Sequence, residues 1–367
     1  MFAINQKDKR YIEFFILIIV SISPLIPQLL KILLVLFLVI KNIKIFKKIT
    51  IYQLITLFLF LCIFTIGIVN DILIMESIKD YSLLNLYFPL CIFFGCLLGI
   101  KYTKEETFQS IEKISYLTAF FSILGYFTYT FYPSLVNYLP SYNYYNTTHK
   151  TAIIFNVLTP DGGIVKRNAG IASEPGIYQF LLNIGLYAYL KSSEKINLKK
   201  IGVYTLAIAS TASTAGLAIF AFIIIRVFFN NIKMAALILI LIVIFSPIIY
   251  EEILYQYEYK LFGSYAFNTR YEPLINTLEI ARKNFFGLGN TGYNYYFVGS
   301  LQASFDSFTQ VFVRYGYGLL LLLSLCLINI LKKDFIIFII FIITFTSQGI
   351  WFIPLVSMFY FLYLKKD

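Results

Sequence analysis

Arginine, glutamate and glycine recur in two stretches of the chain in combinations that suit phosphate and hydroxyl chemistry. The first stretch is Lys166-Arg167-Asn168-Ala169-Gly170-Ile171-Ala172-Ser173-Glu174-Pro175-Gly176. The second holds Arg270-Tyr271-Glu272-Pro273 and then Arg282-Lys283-Asn284-Phe285-Phe286-Gly287-Leu288-Gly289-Asn290, with Arg314 following. A guanidinium is planar, keeps its charge and can hold two oxygens at once, which suits a phosphate or diphosphate. If Arg167, Arg270 and Arg282 converge, they form a diphosphate clamp. The bland alternative is that each snorkels to lipid headgroups.

Glu174 has two readings. Before Pro175 it fits a helix start. A carboxylate at a membrane surface can also accept a proton from a sugar hydroxyl. Gly287 and Gly289 make a tight turn, which lets backbone approach a ligand. Tyrosines crowd both regions, Tyr142, Tyr144, Tyr145, Tyr265, Tyr271 and Tyr293 among them. They suit an interfacial aromatic belt or a platform for sugar faces. The single histidine, His149, rules against a histidine metal centre and reads as a solvated loop side chain. Cys62, Cys91, Cys96 and Cys326 lie in apolar runs, with no metal or disulfide spacing. Neither a metal nor a cofactor is expected.

The elements that must carry these residues are membrane helices. Of the 367 residues, 59% are hydrophobic and 13% charged, against roughly 25% charged in soluble domains. A helix needs ~20 apolar residues to cross ~30 Å of hydrocarbon, and the runs are continuous, as helices require, not alternating. About twelve are expected, near 11–27, 29–41, 51–69, 82–100, 114–132, 176–190, 201–212, 214–229, 234–249, 308–331, 334–347 and 350–364. The expected fold is thus all-α and polytopic, one membrane domain over 1–367. The opening MFAINQKDKR and the run after it imitate a signal peptide, but without a small-residue cleavage site they read as an uncleaved first span.

With the N-terminus placed in the cytoplasm, most of the 30 basic residues fall on short cytoplasmic segments, as the positive-inside rule requires. That accounts for much of the net charge of +11. Both termini are then cytoplasmic. Two long loops, 133–175 and 250–307, face the other side, and long connections tend to be functional. The spans read as nearly free of charge apart from Lys31, Glu13 and Arg226, which favours surface chemistry over transport.

The stretch R-N-A-G-I-A-S-E-P-G (167–176) resembles the R-x-x-G-x-x-x-E-P-G element of bacterial O-antigen polymerases, the Wzy proteins. Further likenesses follow in the family's order: Ser210-Thr211-Ala212-Ser213-Thr214-Ala215-Gly216 between two helices, Arg270 with Phe286-Gly287-Leu288-Gly289, and Ser304-Phe305-Asp306-Ser307-Phe308 with Tyr315-Gly316-Tyr317-Gly318. The likeness covers roughly 160–320. It implies a GT-C-like membrane glycosyltransferase of the bacterial inner membrane, active on the periplasmic face. The donor would be an oligosaccharide repeat unit on undecaprenyl diphosphate. No nucleotide sugar, metal or nucleic acid takes part; membrane lipids and a chain-length regulator protein are further candidate partners. Arg167, Glu174 and Arg270 are then the catalytic candidates. Gly170, Tyr271, Arg282, Gly287, Gly289 and Arg314 are the substrate-binding ones. Ligases of the superfamily carry a His where Asp306-Ser307 stands here. An O-antigen ligase and a lipid-linked oligosaccharide transporter remain the alternatives.

Overall fold

The computed structural model describes residues 6–24, 26–42, 49–75, 87–136, 138–144, 147–151, 155–159, 167–193, 196–228, 272–297 and 306–365. Among them are fourteen helices and four strands. Eleven of the twelve apolar runs are helical; the ninth, 234–249, lies outside the described residues. Among the described residues, three helices are long and apolar enough to cross a membrane: Ile51–Leu73, Lys104–Phe131 and Ser307–Lys333. Tyr87–Lys101, Thr214–Arg226, Phe335–Ser347 and Pro354–Leu364 are apolar but shorter. The chain divides into two compact units, Met1–Leu25 with Lys104–Gln256, and Ile26–Thr103 with Tyr257–Asp367.

In the first unit, α1 (Gln6–Ile22), α5 (Lys104–Phe131), α7 (Pro175–Ser192), α8 (Leu198–Ser210) and α9 (Thr214–Phe228) pack together, with α7 buried along nearly its whole length. Helices in lipid gain little from burying apolar surface, so close packing and interhelical hydrogen bonds must hold them. The buried face of α5 accordingly sets small and hydroxylated residues, Ser110, Ser115, Thr118, Ala119 and Ser122, among Phe108, Ile111, Ile114 and Ile123. Ser115 Oγ lies 2.8 Å from Tyr204 Oη of α8, and Tyr178 Oη of α7 donates to Ser122 Oγ at 2.8 Å. The opposite end carries the charges. Arg10 pairs with Glu106 at 3.2 Å, Lys200 pairs with Glu112, and Lys113 sits 4.1 Å above the Tyr11 ring.

The described residues are mostly helical, as expected, and the region 133–175, expected as a loop, carries the four strands. After a short helix, α6 (Pro133–Val136), it forms an antiparallel sheet in the order β1 (Ser141–Tyr144), β2 (Thr147–Thr151), β3 (Asn156–Thr159), β4 (Arg167–Gly170). Ser141 pairs with Lys150, Thr151 with Asn156 and Leu158 with Arg167. The stretch TTHKTAIIFNVLT is rich in β-branched residues, which fit a pleated surface. β4 packs on α5, α7 and α8.

In the second unit, α4 (Tyr87–Lys101) lies tightly along α14 (Pro354–Leu364). A Cβ on Gly95 would stand 2.0 Å from the Pro354 carbonyl oxygen, and one on Gly99 2.4 Å from that of Met358, so only glycine permits this approach. Around this pair stand α2 (Gln28–Asn42), α3 (Ile51–Met75), α10 (Glu272–Lys283), α11 (Gly289–Phe297), α12 (Ser307–Lys333) and α13 (Phe335–Ser347). Lys101 Nζ donates to Asn42 Oδ1 at 3.1 Å and Lys365 Nζ to the Tyr102 carbonyl at 2.5 Å, so this unit also gathers lysines at one end. Asp306 caps α12, accepting from Thr309 N at 2.8 Å. Ser307 Oγ bonds the Gln348 carbonyl (2.6 Å) and Ile350 N (2.9 Å).

Candidate functional site

Among the described residues, each unit holds a polar cluster built from segments distant in the chain. In the first, β4 delivers Arg167, a turn follows, and Glu174 stands at the entry to α7. Arg167 Nε donates to the Thr211 carbonyl and Nη2 to that of Ala212, both at 3.1 Å. Those carbonyls point outward because the chain breaks between α8 and α9. Ala212 there adopts φ +46°, a left-handed conformation uncommon outside glycine. The break between α8 and α9 is therefore the seat of the arginine.

The residues beside Arg167 fix it. Asn168 is fully buried, and its Nδ2 donates to Ser122 Oγ (3.1 Å) and Ser210 Oγ (2.9 Å), while its Oδ1 accepts from Gly170 N at 2.8 Å. Gly170 has φ +54°, and the Tyr178 ring occupies the space a Cβ would need, 2.2 Å from its ideal position. Gly170 is thus a packing position under the turn. Asn156 Nδ2 holds the Ala172 carbonyl at 3.1 Å, and Ser173 N donates to the Ile22 carbonyl at 2.9 Å.

Glu174 precedes Pro175 with extended backbone (φ −142°, ψ 146°), and its side chain makes no capping hydrogen bond to α7. Helix capping alone therefore does not explain this carboxylate. Its surroundings are crowded although the residue remains partly accessible. Burial pushes its pKa up from the ordinary carboxylate value, and the nearby Arg167 charge offsets part of that rise.

The second cluster forms where the 284–291 turn enters a break in α12. Gly316 lies inside that helix with φ +68° and ψ −161°. The freed backbone groups find partners in the turn: Tyr317 N donates to the Phe285 carbonyl (3.1 Å), and Leu288 N to that of Val313 (2.7 Å). Gly287, at φ +80°, lies against the Arg314 backbone, and Gly289, at φ +71°, lies against the Asp71 carboxylate. Asn70 Nδ2 bonds the Gly287 carbonyl at 2.9 Å.

Arg314 is 8% exposed. Its Nη1 donates to Asn290 Oδ1 at 2.8 Å, and its guanidinium lies 3.9 Å from the Tyr293 ring centre and 4.9 Å from that of Phe88. Its Nε is buried without a hydrogen-bond partner. Asn290 Nδ2 continues to Tyr315 Oη at 3.1 Å. Asp71, 1% exposed, accepts from Thr291 N at 2.6 Å at the start of α11 and lies within electrostatic reach of Arg314.

Sequence reading missed Asp71. It took the third span to end near 69, whereas α3 runs on to Met75 and takes Asn70 and Asp71 into the packed unit. An acid beside an apolar run was the available signal. Arg282 is exposed on the last turn of α10, apart from this buried cluster. Arg270 and Tyr271 lie outside the described residues. So Arg167, Gly170 and Glu174 meet in one unit, and Gly287, Gly289 and Arg314 in the other. Among the described residues no group of three or more His, Cys, Asp or Glu is placed to hold a metal ion. No protein-family model matches the chain, and no curated protein or solved structure is similar to it.

Proposed function

We propose that the chain is a bacterial inner-membrane glycosyltransferase of the O-antigen polymerase type. It joins oligosaccharide repeat units carried on undecaprenyl diphosphate at the periplasmic face. The observation that carries this reading is Glu174 at the mouth of α7, its carboxylate not used for capping and lying in the field of Arg167. A hydroxyl oxygen of one unit bonds to the anomeric carbon of the growing chain. The bond from that carbon to the diphosphate breaks, and the electron pair leaves with undecaprenyl diphosphate. Glu174 takes the hydroxyl proton. Arg167 and Arg270 stabilise the charge that grows on the leaving diphosphate, which a preorganised cation does best in a water-poor site. The reading carries with it twelve spans, a GT-C-like architecture, cytoplasmic termini and a chain-length regulator as partner.

Transport of lipid-linked oligosaccharide is the second reading, and the buried Asp71–Asn290–Arg314 cluster favours it, since ionisable residues at membrane depth mark transport paths. A ligase with lipid A core as acceptor shares the chemistry of the first. Gel analysis of lipopolysaccharide from the source strain separates the three. Arg167→Ala, Arg270→Ala and Glu174→Gln should each leave core bearing a single unit. Core with no unit, while lipid-linked units remain on the periplasmic side, makes the chain a ligase; units retained on the cytoplasmic side make it a transporter. Long ladders at normal protein level overturn the residue assignments.

A further inference from the structure

Gly318 has no backbone reason to be glycine. It stands in the helical part of α12 beyond the break, and a Cβ there would meet only Ile63, at 3.5 and 3.6 Å, ordinary contact distances. Glycine in a helix interior costs roughly 0.5–1 kcal/mol against alanine. What the missing side chain does is open a groove of about 180 Å³. Ile63 and Ile66 of α3 form one wall, Phe285 and Phe286 the mouth, and Tyr317 and Leu321 of α12 the other wall. Phe285 stacks on Tyr317 with ring centres 5.3 Å apart and meets Phe286 edge-on at 5.1 Å. Both phenylalanines are more than half exposed.

Two exposed cations precede the mouth in the chain. Arg282 and Lys283 end α10, both exposed, and only Asn284 separates them from Phe285. Asn284 N bonds the Ala281 carbonyl at 3.1 Å and its Nδ2 the Ile280 carbonyl at 2.8 Å, so the turn from α10 to the groove is fixed. An apolar slot with two exposed cations on the helix end that leads into it complements an amphiphile with an anionic head.

We propose that this groove is a binding site for an anionic phospholipid, with one acyl chain between α3 and α12 and its phosphate on Arg282 and Lys283. Membrane phospholipid surrounds the chain at high concentration, so mass action favours it as the occupant. The site is independent of the reaction proposed above and stands whether or not that reaction is correct.

The test is native mass spectrometry of the full chain, released from nanodiscs of equimolar phosphatidylglycerol and phosphatidylcholine. The wild type should retain one phosphatidylglycerol per chain. Gly318→Leu, which fills the slot, should lose it. Arg282→Gln and Lys283→Gln should each weaken retention about fivefold, as expected for one cation near a lipid surface. If Gly318→Leu does not fold, Ile63→Phe fills the slot from the opposite wall and takes its place. Retention unchanged in the filled variant, or phosphatidylcholine retained equally well, overturns the site. Displacement by an equal amount of a polyprenyl phosphate overturns the occupant, because the groove then takes the isoprenoid chain instead.

Discussion

Gly316→Ala should destabilise the second unit by several kcal/mol, while Gly318→Ala, two residues on in the same helix, should not. At Gly316 two costs add. The backbone conformation, φ +68° and ψ −161°, is one that residues with a Cβ rarely adopt, worth about 1–3 kcal/mol of strain. The added Cβ would also lie 2.0 Å from the Phe285 carbonyl oxygen and 2.7 Å from the Phe286 carbonyl carbon. These are backbone atoms, so no rotamer change relieves the contact. Moving the turn instead lengthens the Tyr317–Phe285 and Leu288–Val313 hydrogen bonds, each worth about 1 kcal/mol. The sum is about 3–5 kcal/mol. At Gly318 the methyl is accommodated, and helix propensity returns about 0.5–1 kcal/mol. The chain provides its own reporter: its single tryptophan, Trp351, is fully buried, with its ring 5.5 Å from that of Tyr315. Denaturant unfolding in detergent, followed by tryptophan emission, should show a lower midpoint for Gly316→Ala and an unchanged or raised one for Gly318→Ala. Equal midpoints for the two variants would refute the docked-turn account of the break.

Asp71→Ala should cost about 1–3 kcal/mol by leaving Thr291 N without its acceptor. Asp71→Asn, which keeps an acceptor for Thr291 N, should cost less, and the double change Asp71→Ala with Arg314→Met should cost less than the two singles summed; strict additivity in tryptophan-monitored unfolding disproves the coupling. Glu174 supplies a pH test. Its folded pKa is raised, so the folded chain holds the proton more tightly than the unfolded one. That contribution is complete below the ordinary carboxylate value and is lost as pH rises through the raised one. Glu174→Gln removes the dependence, so the difference between the two unfolding midpoints should change across that window; parallel profiles contradict the burial of this carboxylate.

The helices were legible because lipid depth demands continuous apolar runs, and a run such as 308–331 has few other structures open to it. Arg167 and Glu174 were legible as candidates because charges stand out beside such runs. The partners were not. Nothing near Arg167 in sequence announces the Thr211 and Ala212 carbonyls, which become acceptors only when β4 folds back onto the α8–α9 break. The sheet left a β-branched trace, but its register depends on pairings that tertiary packing selects.

The sequence by itself determined the apolar helical runs, long enough in places to span a membrane, and the places where arginine, glutamate and glycine gather, since composition and periodicity are properties of the chain. Tertiary structure decided which of those side chains are committed. It leaves Glu174 without a capping bond, buries Arg314 between two rings and brings Asp71 into the packed interior. The reason is physical: a charge in a low-dielectric interior must find partners, and those partners come from distant segments of the chain that only folding brings within hydrogen-bond range.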